Sequence, residues 1–522
     1  MVLGKVLSVV GAVVLTVGLT TPGSAEEPAR RAASLTMTVN GGYGSYVGGQ
    51  GLTLTGQLPK AGVRKIWLER HMNRPGDAWT TVEDLPYRGT TRADGSFTMA
   101  IRASDMVGLS YRVRGAQGGG NTPSVTFDPG SQDVTLEVVN LLGLPLDPLP
   151  LVPFYIEADT TPDHVFGRPD LQNLPVFRGR DATLQLRVSP TEWEDVDTAT
   201  VQSDGTVFFD QPQVRGLGEH VYRVRLEDWT RDGSDIGWQA SFPTYVRVGL
   251  PLRGTRGPAT ARAEFPGEER ASAVTGTAAS KYRWYPVLFG FDWEEGQDLD
   301  SPPKNGAKKG RWIQYSDGAG RVGKHNGQLR LDSGRRLTRF AEGDFGTTRA
   351  TLAGNASAYG RWETRLRIKT FESGSKDYDV VLELVPEKAA DYQCGRQNIT
   401  VARYDGAAAR MSFGVNAGTT RWTKTIKAPS LLTSIPAFAV EVAKDHIAWF
   451  VNGKPVGVVR SRAAVSDVPM TMRFSLVGDD SEHKNTAAYS DWQRFFGIAQ
   501  GAQVKKGPSL SKSALTACVD RR

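Results

Sequence analysis

From Leu35 onward the chain breaks into short runs in which apolar and polar residues alternate, and that pattern excludes most folds. Leu35-Thr-Met-Thr-Val39, Leu52-Thr-Leu-Thr55 and Ile66-Trp-Leu-Glu69 are separated by Gly, Pro and Asn. Their period is two rather than 3.6, so they sort apolar side chains to one side of an extended backbone and cannot lay a stripe along a helix. Turn residues are frequent enough to sustain this throughout, with 58 Gly and 29 Pro in 522 residues, and the expectation is an all-β chain of many short strands. At about 100–200 residues per domain, the length accommodates about three units.

The N-terminus is of another kind. Met1 to Ala25 has a basic start at Lys5, an apolar run from Val6 to Leu19, and small residues Pro22-Gly23-Ser24-Ala25 at the end. The run is shorter than the roughly 20 residues that span a bilayer, so residues 1–25 read as a signal peptide and the mature chain as secreted, without a membrane span. Its localisation is then extracellular, either free or associated with the cell surface. Lys and Arg exceed Asp and Glu by a formal net charge of +7. That excess is small for this length; it fits a solvated surface and is compatible with an anionic cell-envelope glycan. No basic and aromatic residues interleave at the spacing of a nucleic-acid module. Export permits a disulfide between Cys394 and Cys518, the single intramolecular pairing two cysteines allow.

Residues 35–130 and 150–250 show a repeated order of landmarks. Trp79-Thr-Thr-Val82, Asp94-Gly95 and Tyr111-Arg-Val113 recur as Trp193-Glu-Asp-Val196, Asp204-Gly205 and Tyr222-Arg-Val224. The two regions read as tandem β-sandwiches joined by the Pro-rich stretch Leu142 to Phe154. They resemble the immunoglobulin-like modules of exported bacterial proteins. The repeated Trp79, Trp193, Tyr111 and Tyr222 read as core residues rather than sugar platforms. Residues 251–280 are poor in large apolar side chains and read as a flexible linker. Strand patterns return over 281–500, and 501–522 read as a mobile tail.

Over 281–500 a series of segments resembles, in order, the concanavalin A-like jelly roll of family 16 glycoside hydrolases. They are Phe291-Asp-Trp-Glu-Glu295, Asn326-Gly-Gln-Leu-Arg-Leu331, Tyr359-Gly-Arg-Trp-Glu363 with Arg365, Ile447-Ala-Trp-Phe-Val-Asn-Gly-Lys-Pro-Val456, Pro469-Met470 through Leu476, and Ser490-Asp-Trp492. Asn452-Gly453 is a tight-hairpin signal. The resemblance implies two stacked antiparallel sheets with a groove for a β-linked polysaccharide, lined by Trp and Tyr. It also implies one cofactor, a structural Ca²⁺ held by Glu294 (or Glu295) and Asp491.

The family's chemistry needs two carboxyl groups about 5–5.5 Å apart, carried on one strand in a motif like E-I-D-I-x-E. The corresponding stretch here is Gln397-Asn-Ile-Thr-Val-Ala-Arg-Tyr-Asp-Gly406. Laid over the motif, the nucleophile position holds Asn398, the central aspartate position Thr400 and the acid/base position Arg403. Asn is a feeble nucleophile, Thr carries no charge, and Arg stays protonated and cannot cycle as acid and base. Nor does the strand from Pro436 to Val442 carry the histidine found in many family members.

The alternative register uses Asp379 and Glu383 on the preceding strand. They share a face but lie four residues apart, about 13 Å between Cα atoms, with Val381 between them. Three readings stay open. The first is a secreted carbohydrate-binding protein with Asn398, Arg403 and Tyr404 as ligand contacts, Arg403 pairing with a sulfate or carboxylate on the sugar. The second is a divergent endo-acting β-glycan hydrolase using Asp379 and Glu383. The third is a structural or adhesive envelope protein.

Overall fold

The computed structural model describes residues 32–515 except 41–45, 72–77, 83–87, 105–108, 127–133, 141–153, 162–174, 211–217, 232–233, 242, 249–275, 292, 294–296, 304–309, 326–327, 334–345, 371–377, 393–394, 430, 432–434, 479–485, 491 and 500. The signal peptide, most of the linker, the Glu294/Glu295 and Asp491 pair and both cysteines lie outside the described residues. The chain is all-β, with sheets packed in layers. Among the described residues no helix is long and apolar enough to cross a membrane.

The first unit stacks Ser34–Val39, Gly51–Gln57 and Ser96–Arg102 against a sheet centred on Lys65–His71 and Ser110–Gly115. Alternation decides what is buried: Leu52, Leu54, Ile66, Leu68, Phe97, Met99 and Ile101 point inward. The second unit is built likewise and starts earlier than residue 150. Thr135–Asn140 pairs with Phe154–Asp159, and Val134 and Val138 enter its core.

The repeat is visible in register. Leu68 faces Val113, Glu69 faces Arg112 and Arg70 faces Tyr111. In the second copy Leu184 faces Val224, Gln185 faces Arg223 and Leu186 faces Tyr222. Tyr111 and Tyr222 are core residues. Trp79 and Trp193 are not. Each is half-buried outside its core beneath the repeat arginine, with Arg112 and Arg223 each 4.2 Å from the ring centroid. In the second copy this face docks onto the third unit: Arg223 donates to Gln314 at 2.7 Å and Arg187 to the carbonyls of Ser316 and Gly318.

The third unit is a two-layer sandwich with one large core. Its first layer is an eight-stranded sheet made of β1 (Arg311–Ser316), β2 (Thr347–Ala353), β3 (Tyr378–Pro386), β4 (Gln397–Asp405), β5 (Arg410–Ala417), β6 (Thr420–Lys427), β7 (Met470–Gly478) and β8 (Ser511–Ala514). In space they run β1-β2-β7-β3-β4-β5-β6-β8. The second layer runs Val287–Phe291, Gln493–Phe496, Gly360–Arg365, Ala437–Val442, Ile447–Val451, Lys454–Val459. The hairpin at Asn452-Gly453 forms as its sequence predicts, with both residues at positive φ (48° and 68°).

Two further boundaries differ from the sequence reading. The linker ends before 280, because Thr277 caps a short helix, Ala278–Tyr282, that packs on the outer face of the second layer with Trp284. Residues 501–515 are no mobile tail: Val504 joins the same small core, and β8 pairs with β6. Small polar residues there, Ser511-Lys-Ser-Ala514, carry no apolar alternation, so the pairing is invisible in sequence.

Candidate functional site

The site follows from alternation on three neighbouring strands. On β4, Ile399, Val401, Ala402 and Tyr404 enter the core. Asn398, Thr400 and Arg403 therefore face the other way, away from the second layer. The step from two to three residues is a bulge: Thr400 faces Gly414, and after the irregularity Arg403 faces Ser412. On β3, Tyr378, Val380, Leu382 and Leu384 are core residues, which places Asp379, Val381 and Glu383 on the site face. On β7 the same logic turns Arg473, Ser475 and Val477 to that side, with Ser475 buried between its neighbours.

Strand register arranges these side chains in rows. One row runs Thr351, Arg473, Glu383, Thr400, Gly414, Thr423. The next runs Tyr315, Arg349, Ser475, Val381, Arg403, Ser412. The positions read in sequence as the catalytic motif and as its alternative pair thus lie on one surface. They are tied to one another by hydrogen bonds.

Glu383 uses both oxygens. Oε1 accepts from Arg473, with Nε at 2.8 Å and Nη2 at 2.7 Å, and Oε2 accepts from Asn398 Nδ2 at 2.9 Å. Asp379 Oδ2 accepts from Arg403 Nε at 3.1 Å and Nη2 at 2.5 Å. Arg473 also donates to the Tyr392 hydroxyl at 3.2 Å and lies 5.0 Å from the centroid of its ring. Burial pushes the Arg473 guanidinium down, but Glu383 and Tyr392 outweigh it and hold the group above its ordinary range. Both carboxylates are therefore clamped by guanidinium forks. Asn398 Oδ1 is buried with no hydrogen-bond partner among the described residues, an acceptor left over on this face.

One predicted contact is misplaced. Tyr404 is 7% exposed and belongs to the core, 6.2 Å from the ring of Tyr378. Its neighbours Arg403 and Asp405 face the site, so period-two alternation turns it inward. Three participants were missed in sequence: Arg473 and Arg349, which the strand pattern marks only as polar positions, and Tyr392, which lies in the short helix Ala389–Tyr392 between β3 and β4.

A second polar cluster lies on the outer face of the second layer. Arg361, Glu441 and His446 have fully buried side chains. Glu441 accepts from Arg361 Nε at 2.7 Å, and its other oxygen is 2.9 Å from His446 Nε2 and accepts from Val504 N at 2.8 Å. It fixes the C-terminal segment and lies on the opposite side of the sandwich from the site face.

No protein-family model and no curated protein matches this chain. Several solved structures do. The catalytic domain of an endo-1,3-beta-glucanase (laminarinase) from Thermotoga petrophila RKU-1 aligns at 13% identity over 42% of this chain and 99% of its own, with a TM-score of 0.32. The laminarinase from Rhodothermus marinus aligns at 18% identity over 34% of this chain and 80% of its own, TM-score 0.28. A prokaryotic beta-1,3-1,4-glucanase (lichenase) from a mouse hindgut metagenome aligns at 13% identity over 42% of this chain and 97% of its own, TM-score 0.28.

Proposed function

We propose that this chain is an exported polysaccharide-binding protein whose third unit holds a glycan on the site face of the eight-stranded sheet without cleaving it. One observation carries the reading. The three positions of the family 16 motif are occupied by an amide, a hydroxyl and a guanidinium, and the carboxylates of Asp379 and Glu383 on the same face are closed by arginine. Glu383 has neither oxygen free to attack an anomeric carbon, since Arg473 takes one and Asn398 the other. Asp379 is bound by Arg403. Asp379 and Glu383 stand on either side of Val381 and are held by different arginines, which opposes their convergence to the roughly 5–5.5 Å that retaining hydrolysis needs.

What remains is a surface rich in donors and acceptors, with Asn398 Oδ1, unmatched among the described residues, and the hydroxyls of Thr400, Ser412 and Tyr392. Such groups suit sugar hydroxyls. The first 25 residues support export, and the two N-terminal sandwiches serve as spacers that present the third unit.

The test is retention of the purified mature chain on a panel of insoluble or gel-immobilised β-glucans and acidic polysaccharides. Retention by at least one is expected. Thr400→Trp places a large side chain in the centre of the face without touching the core. It is expected to weaken retention at least tenfold, about 1.4 kcal/mol, while the melting temperature stays within a few degrees. A wild-type chain retained by nothing on the panel, or a Thr400→Trp chain retained equally, contradicts the reading.

A further inference from the structure

We propose that the β1–β2–β7 end of the site face takes a carboxylate of an acidic polysaccharide, a uronate, between Arg349 and Arg473. This rests on the reading of the face as a glycan site and names the class of glycan. Sequence points to Arg403 as the anion contact, but Arg403 is spent on Asp379. Arg473 is matched by Glu383. The Nε of Arg349 has no such partner among the described residues.

Arg349 sits on the site face because Ala350 and Leu352 on either side of Thr351 enter the core. It stands beside Tyr315, its register partner on β1, with the guanidinium 4.8 Å from the ring centroid. Its Nε is buried and has no hydrogen-bond partner among the described residues. Burial pushes its guanidinium below the ordinary value, and the positive charge of Arg473 pushes the same way; Glu383 and Tyr315 pull it back only in part. Arg349 pairs with Ser475, two residues from Arg473 on β7, so the two arginines are diagonal neighbours about 7–8 Å apart. Both lean on the single carboxylate Glu383.

An anion bridging this corner relieves that imbalance. A carboxylate is the form that fits, because it is planar and takes the guanidinium fork two-pronged, and stacking on Tyr315 fixes the plane of the Arg349 fork. Beside it, Ile313 is 39% exposed on the same face of β1, a large apolar side chain in water. With the Tyr315 ring it offers the flat apolar support that a sugar ring needs. The corner thus combines a guanidinium whose Nε has no partner among the described residues, a second one beside it and an apolar step, all continuous with Glu383 and Asn398.

Affinity electrophoresis of the full mature chain in gels containing polygalacturonate, sulfated galactan or neutral β-1,3-glucan tests the assignment. Polygalacturonate is expected to retard the wild type, with retardation falling as salt rises. Arg349→Gln is expected to weaken that affinity roughly tenfold or more, the usual weight of a charge-assisted fork, and Arg349→Lys to recover only part, because an ammonium keeps the charge and loses the fork. Unchanged melting curves establish that both variants fold. Equal retardation of wild type and Arg349→Gln by polygalacturonate overturns the inference. Retardation by the neutral or sulfated glycan and not by polygalacturonate overturns it while leaving the glycan reading intact. No retardation in any gel overturns both.

Discussion

Replacing Glu441 by Ala lowers the unfolding free energy of the third unit by about 3–5 kcal/mol, the usual cost of removing one partner of a buried ion pair. The carboxylate is fully buried and accepts from Arg361 Nε and Val504 N, with His446 Nε2 at 2.9 Å. Burial alone would push its pKa up; the bonds from His446, Val504 and Arg361 outweigh that and hold it below the ordinary carboxylate range. Alanine removes the carboxylate that Arg361 Nε binds at 2.7 Å, the Arg361 guanidinium being itself fully buried. It also frees the C-terminal segment, which Arg361 binds through the Gly497 and Ala502 carbonyls and Lys505 through Asp445. Denaturant unfolding of wild type and variant measures the difference. A loss below about 1 kcal/mol would mean that the cluster is solvated rather than buried.

Glu363→Gln changes the pH dependence of stability. Burial raises the Glu363 carboxyl to about 7 against 4.5 for the free side chain, although the Ala279 and Ala278 amides and the charge of Arg494 oppose the shift. The folded protein therefore binds this proton more tightly than the unfolded chain does. The stabilisation it contributes is fully present below about pH 4.5 and is lost as the pH rises through about 7. Glutamine cannot ionise, and its amide oxygen can still accept from the Ala278 and Ala279 amides that Glu363 Oε1 now binds at 2.6 and 3.1 Å. Between pH 4 and pH 8 the stability difference is expected to move by about 3 kcal/mol in favour of the variant. The measurement is the unfolding free energy of both chains at the two pH values. Parallel pH profiles would contradict the assignment of a proton to Glu363.

Much of this architecture is legible in the residues. Period-two alternation gives the strands, and Asn452-Gly453 gives its hairpin because two consecutive positive φ angles favour that pair. The three motif positions Asn398, Thr400 and Arg403 share a face because the bulge between Thr400 and Arg403 restores the parity that simple alternation would break. Tyr404 was misread for the converse reason: a position adjacent to a site residue on a strand points away from the site.

What sequence does not reveal is mostly tertiary. Nothing in Ser511-Lys-Ser-Ala514 marks a strand, since it pairs with β6 without apolar alternation, its Lys512 lying over the Trp422 ring. Nothing in Thr135–Asn140 says that its partner begins at Phe154, across a Pro-rich stretch. Trp79 and Trp193 read as core because large aromatics usually are, yet an arginine from the strand beyond the adjacent one covers each ring at the surface. Arg349 and Arg473 are separated by more than a hundred residues, and only the β2–β7 register makes them neighbours.

The most direct measurement is reducing-end release by the purified mature chain on β-glucans and acidic polysaccharides, run beside retention on the same materials. The account predicts no release above the buffer blank from any glycan, together with retention on at least one. Release that rises with enzyme concentration and disappears in Glu383→Gln would contradict it, and would make the clamped carboxylate a working catalytic residue.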